Sequence, residues 1–224
     1  MQDSTPSLSC GLCLGKQLEA YHQDKHRRYW QCQTCQLVMV DPKSRLTPEQ
    51  EKAIYDSHEN DLEDEGYRRF LTRVAEPLLA RLAAPSKGLD FGCGPGPLLA
   101  KMLEEAGHQV ALFDLYYANN PDVLMQRYDF IVSTEVVEHL AKPRQVLLQL
   151  LALLKPGKPL ALMTKLVIDQ SRFAHWHYKN DLTHISFFSQ KSFVFFAAQQ
   201  DCDLEFIGND VIILTKRNER ESFG

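Results

Sequence analysis

Apolar and polar positions alternate along the chain in blocks that read in turn as strands and helices. Gly88-Leu89-Asp90-Phe91 is a short apolar run that ends in a glycine-rich turn, and Pro97 to Leu103 follows with an apolar stripe at helical spacing, which predicts a strand handing over to a helix. His108 to Asp114 predicts a second strand, Tyr128 to Thr134 another, and Arg144 to Leu154 an amphipathic helix. The turn Lys155-Pro156-Gly157-Lys158 then leads into a strand over Pro159 to Val167. Ser189 to Gln200 predicts a helix with Phe193, Phe196 and Ala197 inward, and Leu204 to Ile207 with Val211 to Thr215 predict an antiparallel hairpin around Gly208-Asn209-Asp210. Upstream, Thr47 is placed to cap a short helix opened by Pro48, and Glu59 to Gly66 reads as a charged linker. Tyr67 to Leu82 carries apolar residues at 67, 70, 71, 74, 78 and 82, a helical spacing kept despite Pro77. Strands alternating with helices predict an α/β fold with a doubly wound, mostly parallel sheet.

The turn after the first of these strands carries the chemistry. Glycines at 92, 94 and 96 let the backbone turn sharply and approach a ligand, while Asp90 places a carboxylate at the carboxyl end of a strand, where open α/β sheets bind ligands. Asp114 closes the next strand with a second acid, suited to ribose hydroxyls. A dinucleotide fingerprint needs Gly-x-Gly-x-x-Gly, and here its third glycine would fall at Pro97. The alternating glycines with Asp90 two residues ahead resemble motif I of the class I S-adenosylmethionine-dependent methyltransferases. Tyr128-Asp129-Phe130-Ile131-Val132-Ser133-Thr134-Glu135-Val136-Val137-Glu138-His139-Leu140, followed by Pro143, is similar to the fourth-strand motif of the subgroup that includes the ubiquinone-type O-methyltransferases.

The resemblance covers about residues 67 to 216 and implies a Rossmann-like methyltransferase fold. It implies S-adenosyl-L-methionine as cofactor, contacted by Asp90, Gly92, Cys93, Gly94, Gly96, Asp114, Leu115, Ser133 and Thr134. Glu135, Glu138 and His139 match by residue type the positions that related enzymes use for catalysis or divalent-metal support; alternatively, Glu138-His139 caps the strand-to-helix junction. One departure stands out. Only the thirteen residues Leu115 to Arg127 separate Asp114 from the next strand, too few for the helix and strand that the family fits there, so the third strand is expected to be shortened or absent. Adenine would then be flanked by Tyr116 and Tyr117, with Asp122 a weaker candidate.

Two Cys-x-x-Cys knuckles, Cys10/Cys13 and Cys32/Cys35, stand eighteen residues apart, the spacing that gathers four thiolates around one tetrahedral Zn2+. Tyr29-Trp30 and Leu37 to Val40 supply the hairpin arms of a zinc ribbon. Pairing them instead as two disulfides would require an oxidising compartment. Cys93 and Cys202 fall outside the pattern and read as packing residues. The expected organisation is a zinc ribbon at 1–45, a helical linker at 46–66, the methyltransferase domain at 67–216 and a charged tail at 217–224.

The chain has 224 residues and a formal net charge of −4, so it can bury one sizeable core and has no global attraction for phosphate backbones. No run approaches the roughly 18 apolar residues of a membrane span, and the first residues lack a signal-peptide pattern, which predicts a cytoplasmic protein. The local cluster His26-Arg27-Arg28-Tyr29-Trp30 reads as a solvated hairpin turn at least as well as a nucleic-acid contact, and the ribbon as a lid or packing element. His175, His177, Asp181 and His184 follow the fifth strand, where this fold builds its substrate pocket. His139 and His184 are the two candidate bases, because imidazole exchanges a proton near neutral pH. The expected function is methyl transfer to an O, N or C atom of a small-molecule substrate. The alternatives are an RNA methyltransferase gripping nucleic acid through the ribbon, for which no basic stripe argues, and a non-catalytic cofactor-binding regulator. The oligomeric state leaves no mark on the sequence.

Overall fold

A computed structural model describes residues 8–57 and 63–217. Residues 59–62 of the expected charged linker 59–66 and 218–224 of the charged tail lie outside the described residues.

Ten strands and six α-helices are found among the described residues: β1 (Leu18–Gln23), β2 (Arg28–Cys32), β3 (Val38–Val40), α1 (Pro48–Tyr55), α2 (Glu65–Leu79), β4 (Lys87–Phe91), α3 (Leu98–Glu105), β5 (Gln109–Phe113), β6 (Phe130–Thr134), α4 (Pro143–Leu153), β7 (Pro159–Met163), α5 (Gln170–Ala174), β8 (Ser186–Phe187), α6 (Gln190–Gln199), β9 (Cys202–Ile207) and β10 (Val211–Lys216). Six of them form the large sheet in the order β5-β4-β6-β7-β10-β9. The pairs β5/β4, β4/β6 and β6/β7 are parallel, and β10 runs antiparallel to both β7 and β9.

Residues of the central strands alternate between two cores, as the two-residue period of a strand requires. Ile131, Leu160, Leu162, Ile212 and Leu214 pack toward α4 and α6 with Leu147, Leu150, Phe193 and Phe196. Phe130, Val132, Ala161, Met163, Val211 and Ile213 pack on the other face against Leu71, Val74 and Leu78 of α2 and Leu99 and Leu103 of α3. Helix α2 begins two residues earlier than its apolar spacing suggests, because the Asp64 carboxylate accepts from the backbone N–H groups of Gly66 and Tyr67. Helix α1 carries the expected cap: Thr47 and Gln50 form a reciprocal capping box, and Pro48 occupies the first turn.

Between β5 and β6 the backbone folds on itself through a bridge between Asp114 and Ala118 and then a 3-10 turn over Pro121–Met125. No strand pairs outside β5 among the described residues, so the short segment leaves β5 at the sheet edge, as the residue count predicted.

A second, antiparallel sheet has the order β1-β2-β3-β8. Its last strand comes from the far end of the chain, with Val38 opposite Phe187 and Met39 opposite Ser186. The cysteine knuckles sit within the main core: Cys10, Leu12, Cys32, Cys35 and Leu37 are all buried in the cluster that holds Leu147, Leu150 and Phe188. The first knuckle also docks on the start of α4, where the Arg144 N–H donates to the Gly11 carbonyl at 3.1 Å.

Candidate active site

The carboxyl ends of β4, β5 and β6 open into a cavity of about 670 Å³, within the usual range of small-molecule sites. One end is the glycine turn after β4. Gly92 has φ +78°, and a Cβ there would lie 2.3 Å from the Val136 side chain, so neither the conformation nor the space admits a larger residue. Gly94, with φ +63°, turns its N–H onto Asp114 Oδ2 at 3.1 Å. The other oxygen of Asp114 accepts from the N–H groups of Tyr116 and Tyr117 at 2.8 and 3.1 Å, which ties the β4 and β5 turns together around one carboxylate.

Asp90 lines this end and is 2% exposed, and its Oδ1 accepts no hydrogen bond from the described residues. Burial, reinforced by the Asp114 charge, pushes its carboxyl up to about 7. Cys93 also lines the cavity, with its thiol pushed up to about 12 by burial and then by Asp90 and Asp114, so it stays protonated and is no nucleophile at neutral pH. Gly96, Leu115 and Thr134 line the cavity as well. Ser133, one residue earlier on β6, is buried with an Oγ that has no hydrogen-bond partner among the described residues, and does not line it. Among the adenine candidates, Tyr116 and Tyr117 line the cavity and Asp122 does not.

The other end gathers distant segments: Glu51 and Tyr55 of α1, Glu135 and His139 after β6, and Asp181 and His184. The imidazoles of His139 and His184 meet at 4.7 Å between centroids. His139 Nδ1 lies 3.2 Å from the Thr183 carbonyl and His184 Nδ1 lies 2.8 Å from the Tyr178 carbonyl. A carbonyl only accepts, so each ring carries its proton on Nδ1 and, when neutral, presents Nε2 as the basic nitrogen. Burial, and then the neighbouring His139, push His184 down to about 4, which keeps its ring neutral near neutral pH. His175 and His177 are exposed and do not join them.

Behind this pair lies a buried acidic knot. Glu135 holds φ +52°, a left-handed conformation that a side-chain-bearing residue adopts at a cost of about 1–3 kcal/mol. The Tyr178 hydroxyl donates to Glu138 Oε1, stands 3.3 Å from Glu135 Oε2 and 3.3 Å from Thr164 Oγ1. Burial pushes Glu138 up to about 7, and burial with the Glu138 charge pushes Glu135 up to about 8. Glu138, His139 and His184 each offer one donor atom within 4.8 Å of the others.

The four knuckle sulfurs form a second donor set. Cys10, Cys13, Cys32 and Cys35 lie with their Sγ atoms within 4.8 Å of one another, and none is in a disulfide. The N–H groups of Leu12 and Gly15 donate to the Cys10 and Cys13 sulfurs at 3.4 Å each, contacts that favour thiolate character. Four sulfurs converging in this way have the donor type and number of a structural zinc centre.

The methyltransferase-domain family matches residues 55–205, about two thirds of the sequence. The chain belongs to this family. Its fold is similar to that of 1,6-didemethyltoxoflavin-N1-methyltransferase of Burkholderia thailandensis, solved with 1,6-didemethyltoxoflavin and S-adenosylhomocysteine, at 15% identity and TM-score 0.53 over 89% of this chain and 100% of that one. Magnesium protoporphyrin IX methyltransferase of Synechocystis, solved with S-adenosylhomocysteine, is similar at 16% identity and TM-score 0.53 over 76% of this chain and 94% of that one. An O-methyltransferase family protein of Burkholderia thailandensis matches at 15% identity and TM-score 0.52 over 76% of this chain, which spans 60% of that protein. No curated protein matches the sequence.

Three residues at or beside the cavity carry no sequence signal of their own. Glu51 and Tyr55 enter from α1, whose Thr47-Pro48 start shows only that a helix begins there, and Tyr178 stands out only after the fold brings it against Glu138. Tyr67 of α2 also lines the cavity, whereas its neighbour Arg68 turns outward to Glu105 at 2.8 Å.

Proposed function

We propose that this protein transfers a methyl group from S-adenosylmethionine to an O, N or C atom of a neutral or cationic small molecule, with the cofactor at the glycine-turn end of the cavity and the acceptor beside His139. The observation that carries the reading is the buried Asp90 carboxylate with an unpartnered oxygen at the head of the glycine turn, a place where a cationic amino group repairs the cost of burial. Asp114 suits the ribose, and Tyr116 and Tyr117 suit the flanks of the adenine ring.

S-Adenosylmethionine, when bound, supplies an electrophilic methyl group for an in-line displacement, so the chain's own part is alignment and proton removal. His139 holds its Nδ1–H on the Thr183 carbonyl and takes the acceptor's proton at Nε2. His184 stays neutral beside it and adds no repulsion to the resulting imidazolium, and the Asp181 carboxylate, 3.7 Å from His184, adds an attractive charge. No Lys or Arg is among the described residues that line the cavity, while Glu51, Glu135 and Asp181 are. An acceptor with a carboxylate or phosphate would find no Lys or Arg to pair with there and would face the Glu51 and Asp181 carboxylates. We assign Zn2+ to Cys10, Cys13, Cys32 and Cys35, as a structural centre.

The test is S-adenosylhomocysteine release from S-adenosylmethionine across panels of amines, phenols, carboxylic acids and phosphate esters. Turnover is expected with amines or neutral phenols. Turnover confined to anionic acceptors, or to RNA with a steep fall as salt rises, would overturn the reading.

A further inference from the structure

The β1–β2 turn holds a charged residue that the active-site chemistry does not use. Arg27 is 3% exposed, although it lies in a hairpin turn whose sequence suggested solvation. A guanidinium has five N–H donors in a rigid fork, and all five are engaged. Nε donates to Tyr29 Oη at 3.0 Å. Nη1 donates to the carbonyls of Leu182 and His184 at 3.2 and 2.9 Å, and Nη2 to those of Lys179 and Asp181, the latter at 3.1 Å. Four carbonyls of one six-residue loop, more than 150 residues away in the chain, therefore converge on a single side chain.

The clamp has a brace. Tyr29 Oη passes a hydrogen bond to Asp24 Oδ2 at 2.8 Å, and the buried Lys179 ammonium reaches the same oxygen at 3.2 Å. Although burial alone would raise the Asp24 carboxyl, the backbone N–H groups of His26 and Arg27, the Tyr29 hydroxyl and Lys179 together hold it far below the usual carboxylate range. Phe173 packs edge-on against Tyr21 and Tyr29, and β8 pairs with β3, so the segment on either side of the loop also rests on the small sheet. On its inner side the loop supplies the Thr183 carbonyl to His139 and the Asp181 carboxylate to the cavity, and Tyr178 just before it supplies its carbonyl to His184.

We infer that Arg27 is a positioning residue: through the carbonyls of 179, 181, 182 and 184 it fixes the loop that orients His139 and His184, which makes the cysteine-bearing hairpin the outer wall of the acceptor site. This rests on reading the cavity as a methyl-transfer site, but its test does not use catalysis. Burying a guanidinium is costly unless every donor is matched, and carbonyls that lose the guanidinium gain nothing from an apolar replacement. Lysine offers three donors at one point and cannot span four carbonyls.

The chain has two tryptophans, Trp176 beside Tyr178 at 5.0 Å between centroids, and Trp30 on β2 with its indole N–H on Asp41 at 3.1 Å. In the full-length protein labelled with 5-fluorotryptophan, Arg27→Ala is expected to shift or broaden the Trp176 resonance and leave the Trp30 resonance in place. Guanidinium chloride far below denaturing concentration restores the Trp176 signal by refilling the vacancy, and sodium chloride at equal ionic strength does not. S-Adenosylhomocysteine affinity stays within about threefold, since the glycine-turn end is untouched. Arg27→Lys, which keeps the buried charge and some donors, gives a smaller shift in the same direction and carries the test if the alanine variant does not fold. A Trp176 signal unchanged in both variants, equal movement of both tryptophans, or no restoration by guanidinium would overturn the inference. Failure of the methyl-transfer reading appears separately, as loss of S-adenosylhomocysteine binding in the unmodified protein.

Discussion

The two ends of the cavity are built in opposite ways. The glycine-turn end, where we place the cofactor, comes from residues close in sequence: Asp90 to Leu99 in one strand-turn-helix unit, closed by Asp114 after the next strand. The acceptor end is assembled from α1, the exit of β6 and the 178–184 loop, and is held from outside by Arg27. A local unit keeps its shape through backbone hydrogen bonds and glycine conformations. The other end adds local bonds such as His184 to the Tyr178 carbonyl, but its segments are brought together by long-range contacts, and this makes it the more fragile half.

That contrast predicts the largest effect for changes at the cysteine cluster. Structural zinc sites carry apparent binding free energies of about 10–16 kcal/mol that count as folding free energy. Because Cys10, Cys32 and Cys35 share a core with Leu147, Leu150 and Phe188, Cys13→Ser or chelation is expected to loosen the acceptor loop and lower the main calorimetric transition as well as melt the hairpin. Metal analysis of chelator-free, reduced protein should return one zinc per chain. An apo protein with an unchanged transition would separate the small sheet from the site.

Next in size are the histidines. Loss of a general base costs about 10²–10⁴-fold in rate, so His139→Ala is expected to fall in that range in turnover with S-adenosylmethionine affinity retained. His184→Ala should cost less, since its ring, pushed down to about 4, is the poorer base and serves to keep the pair from carrying two charges. A larger loss at His184 than at His139 would reverse the assignment.

The legibility of the sequence follows the same division. The alternating glycines, Asp90 and Asp114 mark the glycine-turn end because they fall in one strand-turn-helix unit and at the close of the neighbouring strand, and the cysteine spacing marks the four sulfurs because each Cys-x-x-Cys pair is set by its own tight turn. The count of thirteen residues after Asp114 was enough to remove a strand. Pairing β8 with β3 was not readable, because two residues of Ser-Phe have no period. Nor was Arg27: a hairpin-turn arginine is ordinarily solvated, and only the folded loop supplies the four carbonyls that take it inside. Ser133 and Thr134 look alike in the motif, and the strand's alternation sends only Thr134 to the cavity.

A smaller effect tests the cofactor end on its own terms. The Asp90 carboxyl titrates near 7 in the folded protein, so it is largely ionised above that pH and protonated below it. If its ionised form receives the cofactor's ammonium group, S-adenosylhomocysteine affinity should be highest above pH 7 and weaken by up to about tenfold per unit as pH falls below it. Asp90→Asn should be weak throughout and flat over that window. A wild-type affinity that is flat from pH 8 to 5.5, or an Asn variant with the wild-type slope, would show that another group titrates.

The most direct measurement is isothermal titration of the full-length protein with S-adenosylhomocysteine and, separately, with NAD near pH 8. The account predicts S-adenosylhomocysteine binding at roughly 10⁻⁶ M, about −8 kcal/mol, no appreciable NAD binding, and a marked weakening in Asp114→Ala. Tighter binding of NAD, or S-adenosylhomocysteine affinity untouched by loss of Asp114, would contradict it.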